Sequence, residues 1–251
     1  MSEPIRAVFT NDKFAKAFQF AKALCQEPRH GIRKLVILVP VKANISPSTT
    51  LGAYLGEPTC KALEKSQSIS FAGIPMQLET KKMLRSLSAD TLIICAYASQ
   101  DIMDKVDSVG PVAGVIALPY ADDVVEPWIK SWSPLINGAP QAHAKKLIED
   151  PVVERAMEGL SRWINLAHAV LNVRDKDHAN QTLRILRRKK HTFDPQALRA
   201  WAVSNAWKPS AADELCTLAT KILSLKGTPK IDRLDAAEHS YNCWVEDAKK
   251  P

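Results

Sequence analysis

Lys34-Leu35-Val36-Ile37-Leu38-Val39 is the stretch whose reading decides the fold of this chain. Five aliphatic residues in a row, three of them β-branched or isoleucine, have strand length, and the missing polar alternation means that both faces of the strand are covered. That is the signature of a central strand in a parallel sheet flanked by helices. Parallel neighbours need long crossovers, so the argument extends outward to further strand and helix signals on either side.

Upstream, Arg6 to Thr10 reads as a short strand, and Phe14, Phe18, Ala21 and Cys25 repeat at helical spacing behind it. Downstream, Pro47 to Lys65 is helical in part and broken near Gly52, Gly56 and Pro58, and Ser68 to Ala72 reads as a weaker strand before Gly73. Leu78, Met83, Leu84 and Leu87 then suit a helix. Thr91 to Cys95 is a fourth strand, Ser99 stands where it can cap a helix built on Ile102, Met103 and Val106, and Val112 to Leu118 is a fifth. The expectation is a doubly wound, mostly parallel five-stranded sheet of the Rossmann-like or flavodoxin-like kind over residues 1–133, with an order such as 2-1-3-4-5.

The alternation then stops. Ser133 to Pro140 is rich in breakers and reads as a linker, so 134–150 is taken as linker and connecting helix and 151–251 as an all-α domain. Its helices are expected over 152–172, from a cap at Asp177 to about Lys190, after Asp194-Pro195, after the S-x-x-D signal of Ser210 to Asp213, and over 232–248. Trp163, Trp201 and Trp244 lie on apolar stripes and read as core.

Composition supports this division. In 251 residues, 46% are hydrophobic and 24% charged, which excludes disorder and fibrous repeats and leaves ample apolar surface for two cores. No apolar run reaches the roughly 18 residues of a membrane span, and the start, Met1 to Arg6, lacks the pattern of a signal peptide. A soluble, cytoplasmic protein is expected, with no membrane partner. Cys25, Cys60, Cys95, Cys216 and Cys243 are odd in number and widely spaced, without a C-x-x-C, and read as small buried hydrophobes.

The net charge of +7 is unevenly distributed: residues 151–251 hold 17 Lys and Arg against 12 Asp and Glu. The strongest feature there is Arg184, Arg187, Arg188, Lys189 and Lys190, followed by His191. On a helix the three arginines share an arc of about 100°, with Ala179, Leu183 and Leu186 toward the other side. Such a face neutralises phosphates on nucleic acid or another polyanion, or simply lies solvated at a helix C-terminus. The function expected first is therefore a non-catalytic, two-domain polyanion binder, with the α/β half as a partner or ligand module.

The second reading places a nucleotide or small-molecule ligand, and with it an enzyme, in the crevice at the carboxyl ends of the strands. Topology nominates Asn11, Asp12, Lys42, Asn44, Tyr97, Ser99, Tyr120, Asp122 and Asp123 as its lining. In that reading Lys42 and Ser99 meet phosphate, and Asp12, Asp122 or Asp123 meets ribose or a metal. No catalytic residue is identified, and no cofactor or metal is implied. Gly52 to Lys61 is not a phosphate loop, and G-x-G-x-x-G and G-x-S-x-G are absent.

Weaker constellations read as structural. They are Glu79-Thr-Lys81, taken as helical; Asp175 and Asp177 with His178, taken as capping; and His239 with Cys243, an i, i+4 pair that nothing completes. Asn11 and Asp12 are expected to stand apart from Asp122 and Asp123, since strands 3 and 4 intervene in a 2-1-3-4-5 order. The helices around Asn205 to Pro209 resemble a helix-turn-helix, but the second begins with Asp213 and Glu214 where a groove reader needs donors. Trp128 and Trp132 are read as a seam between domains. A third reading, an assembly scaffold with a protein partner, requires an exposed apolar patch.

Overall fold

The computed structural model describes residues 4–10, 13–121, 123–141, 146–232 and 234–250. The chain divides into two compact units, Met1–Ala144 and Lys145–Pro251.

The first unit is a mixed α/β structure around a sheet of seven strands, two more than the sequence reading expects. In chain order the strands are β1 (Ile5–Val8), β2 (Lys34–Val39), β3 (Ile69–Phe71), β4 (Ile74–Thr80), β5 (Thr91–Ala98), β6 (Gly114–Pro119) and β7 (Leu135–Ile136). They are arranged β3-β4-β2-β5-β6-β1-β7, all parallel to their neighbours except the β3–β4 hairpin. Gly73 turns that hairpin at φ +86°, a region that disfavours side chains. The helix expected from Leu78 is thereby corrected: Met76, Leu78 and Thr80 alternate inward on β4. The breaker-rich stretch 133–140 supplies β7, which pairs with β1.

The aliphatic run behaves as its composition requires. Leu35, Ile37 and Val39 pack in one core with α1 (Lys13–Gln26), α2 (Thr50–Leu55) and α3 (Glu57–Glu64). Val36 and Leu38 pack in another with α4 (Gln100–Ser108) and α5 (Glu126–Trp132). Helices on both faces explain why polar residues do not alternate along β2.

The second unit is helical, with α6 (Pro151–Trp163), α7 (Val173–Arg188), α8 (Pro195–Ser204), α9 (Pro209–Leu223) and α10 (Leu234–Ala248). The packed pairs include α8 with α9, α7 with α9, and α10 with α6 and α7. Three boundaries differ from expectation. α6 ends at Trp163 because Ile164 is extended and the Asn165 side chain accepts the Ala167 amide, a local turn that competes with the helix. α7 begins earlier than Asp177, capped by Asn172, whose side chain accepts the Asp175 amide. α9 begins on Pro209, while the Ser210 hydroxyl donates to the Ala169 carbonyl. Among the described residues, no helix is long and apolar enough to cross a membrane.

Candidate functional site

The five basic residues end α7, and the structure fixes what three of them do. The Arg187 guanidinium donates to the carbonyls of Ile222 and Leu225, closing the C-terminal end of α9. Arg184 donates to the Asn180 side chain and to the Lys230 carbonyl, and Arg188 to the Pro229 carbonyl at 3.4 Å. The arginines thus fasten the segment 222–230 against α7. Their acceptors are neutral backbone and amide oxygens, so the bonds are satisfied without a carboxylate partner. Lys189 differs: it pairs with Glu238 at 2.6 Å and lies over the Tyr241 ring. Lys190 is exposed, at φ +65°.

The fastened segment brings its own cations. Lys221, Lys226 and Lys230 are exposed, and Lys221 and Arg184 line one small groove of about 190 Å³ with Lys176 and Asp177. Sequence reading missed these three lysines because they are spread over α9 and the loop after it rather than clustered in one run.

A larger groove of about 740 Å³ separates α7 from α10, and Arg174, His178, Gln181, Asp232 and Ser240 are among its lining residues. Gln181 donates to Asp232 across it at 3.3 Å. The His178 ring stacks on Trp163, with centroids 6.0 Å apart and planes at 25°. Trp163 is 67% exposed, which corrects its assignment to the core; Trp201 is buried and Trp244 half-buried. Asp175 is buried and accepts from the Asn165 amide, so it serves the loop before α7.

A third feature of this unit is a chain of side chains joining three helices. Asp150 caps α6 through the Val152 and Val153 amides, meets His191 Nδ1 at 2.6 Å, and His191 Nε2 lies 3.1 Å from the Tyr241 hydroxyl. Burial pushes the Asp150 carboxyl up, but the bonds from His191 and the two amides outweigh it and hold the group below its ordinary range.

In the α/β unit the crevice residues fall into two groups. β2 and β5 are adjacent while the chain leaves them toward opposite faces, so Lys42, Asn44, Tyr97 and Ser99 flank one topological switch point. Most of their polar atoms are engaged locally. Asn44 accepts the Val41 amide, Ser99 donates to Asp101, and Asp101 pairs with Lys81. Tyr97, at φ +56° on a bulge of β5, accepts the Leu51 amide on its hydroxyl at 3.1 Å. Lys42 is exposed.

The second group follows β6. Tyr120 and Asp123 are exposed there, while Asn11, Asp12 and Asp122 lie outside the described residues. β1 pairs directly with β6, which overturns the expected separation of those two strand ends. Lys13 donates to the Pro119 carbonyl at 2.7 Å, and Asn137 accepts the Thr10 amide, tying both ends down.

The remaining constellations resolve as packing or pairs. Glu79 and Lys81 stand at the end of β4 rather than on a helix. Trp128 is buried within the α/β core, and Trp132 is half-buried under the Arg6 guanidinium of the same unit. Both indoles donate to Asp107, whose carboxyl is pushed up to about 6 by burial against the pull of those bonds and of Arg6. Cys60 and Cys95 are buried, Cys25 and Cys216 half-buried, and Cys243, contrary to expectation, is exposed beside His239. Among the described residues, no group of three His, Cys, Asp or Glu is placed to hold a metal ion.

Residues 149–244, from the cap of α6 into α10, match a family model described as a domain of unknown function, DUF1889. No curated protein and no solved structure matches the chain. The likeness covers less than half of the chain, so what it contributes is that the helical unit, which holds the basic face and both grooves on α7, is similar to that family.

Proposed function

We propose that this is a non-catalytic cytoplasmic protein whose helical unit binds nucleic acid by its phosphate backbone. The reading rests on one observation: Arg184, Arg187 and Arg188 end on neutral oxygens, and no carboxylate among the described residues pairs with them or with Lys190, Lys221, Lys226 or Lys230. Seven cations therefore gather at the end of α7, the last turn of α9 and the loop after it, and the phosphates of nucleic acid are the anions that release counterions on meeting such a surface. The cytoplasmic assignment is supported by the odd number and wide spacing of the five cysteines, which do not suit a disulfide framework.

The clamping role of the arginines decides the test. Anisotropy of labelled DNA and RNA oligonucleotides is measured at about 50 and 200 mM salt with wild type and with Lys190, Lys221, Lys226 and Lys230 all changed to Glu. Binding is expected to weaken at least tenfold and the salt slope to fall by about 3 in the variant. Equal binding and slope in the two proteins overturn the reading.

A second reading, a nucleotide at the strand ends, is favoured by the β2/β5 switch point and the exposed Lys42 beside it. It requires that Lys42→Ala weaken nucleotide binding in equilibrium dialysis, and it fails if wild type binds no nucleotide.

A further inference from the structure

The groove between α7 and α10 has a chemistry of its own, distinct from the basic surface. Arg174, His178, Gln181, Ile185 and Arg188 recur every three or four residues and fall within about 80° on α7. All but Arg188 line the groove. Arg188 continues the stripe, about 15 Å along the axis from His178, to where it holds the Pro229 carbonyl beside Lys230. One helix face thus leads from an aromatic end to the basic loop.

At the aromatic end, Trp163 stacks beside His178 with ring centroids 6.0 Å apart and planes tilted by 25°, and keeps two thirds of its surface in water. Val170 and Val173 in the following segment are also exposed, at 52% and 79%. Leaving an indole in solvent forfeits the burial that places tryptophan in cores, and its flat face is oriented by the imidazole behind it. Between the two ends the lining is polar. Asn180 and Gln181 offer both donors and acceptors, and Asp177 and Asp232 offer acceptors only. Those carboxylates repel phosphate and accept from amino and imino groups, so they suit base edges and not the backbone.

We infer that this groove is a binding site for single-stranded nucleic acid, with an unpaired base stacked on the Trp163–His178 platform, base edges along the groove and phosphates toward Arg188 and Lys230. The inference rests on the phosphate-binding reading above and adds the form of the partner. In a duplex every base is already stacked and its pairing edge occupied, so the platform and the groove select the single strand.

The test uses the full-length protein and four probes: a labelled single strand of about 12 nucleotides in DNA and in RNA form, its duplex, and an abasic strand of equal charge. Wild type is expected to prefer the single strands over the duplex and the abasic strand. Trp163→Ala is expected to weaken single-strand binding about tenfold or more, the range of one lost base–aromatic stack, and to leave duplex and abasic binding unchanged. Trp163→Phe keeps a stacking face and recovers most of the loss. The side chain is largely exposed, so both variants should fold, which far-ultraviolet circular dichroism and thermal melting verify. If Trp163→Ala binds the single strands as wild type does while the lysine variant weakens every probe, the platform is overturned and the phosphate reading stands. If wild type binds no probe at low salt, both fall.

Discussion

Asp107 offers the sharpest test of the packing in the α/β unit. Its carboxylate accepts the indole N–H groups of Trp132 at 2.9 Å and Trp128 at 3.5 Å, and Arg6 lies over the Trp132 ring at 3.5 Å. Burial dominates these favourable contacts and raises the group from 3.8 to about 6. Because the folded value is the higher one, the native state keeps a proton between about pH 4 and 6 that the unfolded chain has lost. This group's contribution to stability is therefore greatest at low pH and falls as pH rises through 6, by about 3 kcal/mol in all. Asp107→Asn removes the titration at the cost of one indole bond, about 1 kcal/mol, since its amide has a single acceptor oxygen. The variant should be less stable than wild type by about 1 kcal/mol at pH 4 and more stable by about 2 kcal/mol near pH 7.5. The change with pH, about 3 kcal/mol, is independent of the constant offset. Urea unfolding read by hydrogen exchange of β5 and β6 peptides reports on this unit alone. A wild-type to variant difference that stays constant from pH 4 to 8 refutes the reasoning.

Three further outcomes follow from individual contacts. Arg187→Ala strips the charged donors from Ile222 and Leu225 at the end of α9 and should destabilise the helical unit by about 2 kcal/mol in urea titrations, with Arg187→Lys recovering little because an ammonium lacks the fork. Gly52→Ala would drive a Cβ into the Ser46 carbonyl, so it should cost about 3 kcal/mol and visibly lower the melting temperature; an unchanged melt would refute this packing argument. His191→Ala removes the donor that helps hold Asp150 low. The stability that Asp150 contributes above its unfolded value near 3.8, lost as pH falls through its lower folded value, should shrink in the variant, as acid unfolding curves of the two proteins would reveal.

What is legible in the sequence follows the range of the interactions involved. The run from Lys34 to Val39 determined a central parallel strand covered on both sides, and the structure has it so, because burial on two faces acts on each residue in place. The helical nature of the C-terminal part was equally plain from its stripes. β4 alternates at Ile74, Met76, Leu78 and Thr80, yet Leu78, Met83, Leu84 and Leu87 also fit a helical repeat that runs across the strand end at Thr80, so the local pattern favours the wrong element. Strand order was beyond local reading. β1 lies against β6 more than a hundred residues away, and nothing in either strand names its neighbour.

The same division governs the sites. The sequence by itself determined that Arg184, Arg187 and Arg188 share a helix face, which follows from the 3.6-residue period alone. Only the tertiary structure decided that they grip carbonyls of residues 222–230, that Lys221, Lys226 and Lys230 join them, and that Trp163 stays in water against His178. Periodicity is set by a residue's nearest neighbours along the chain, whereas a side chain's partners are chosen by packing between segments that sequence leaves far apart.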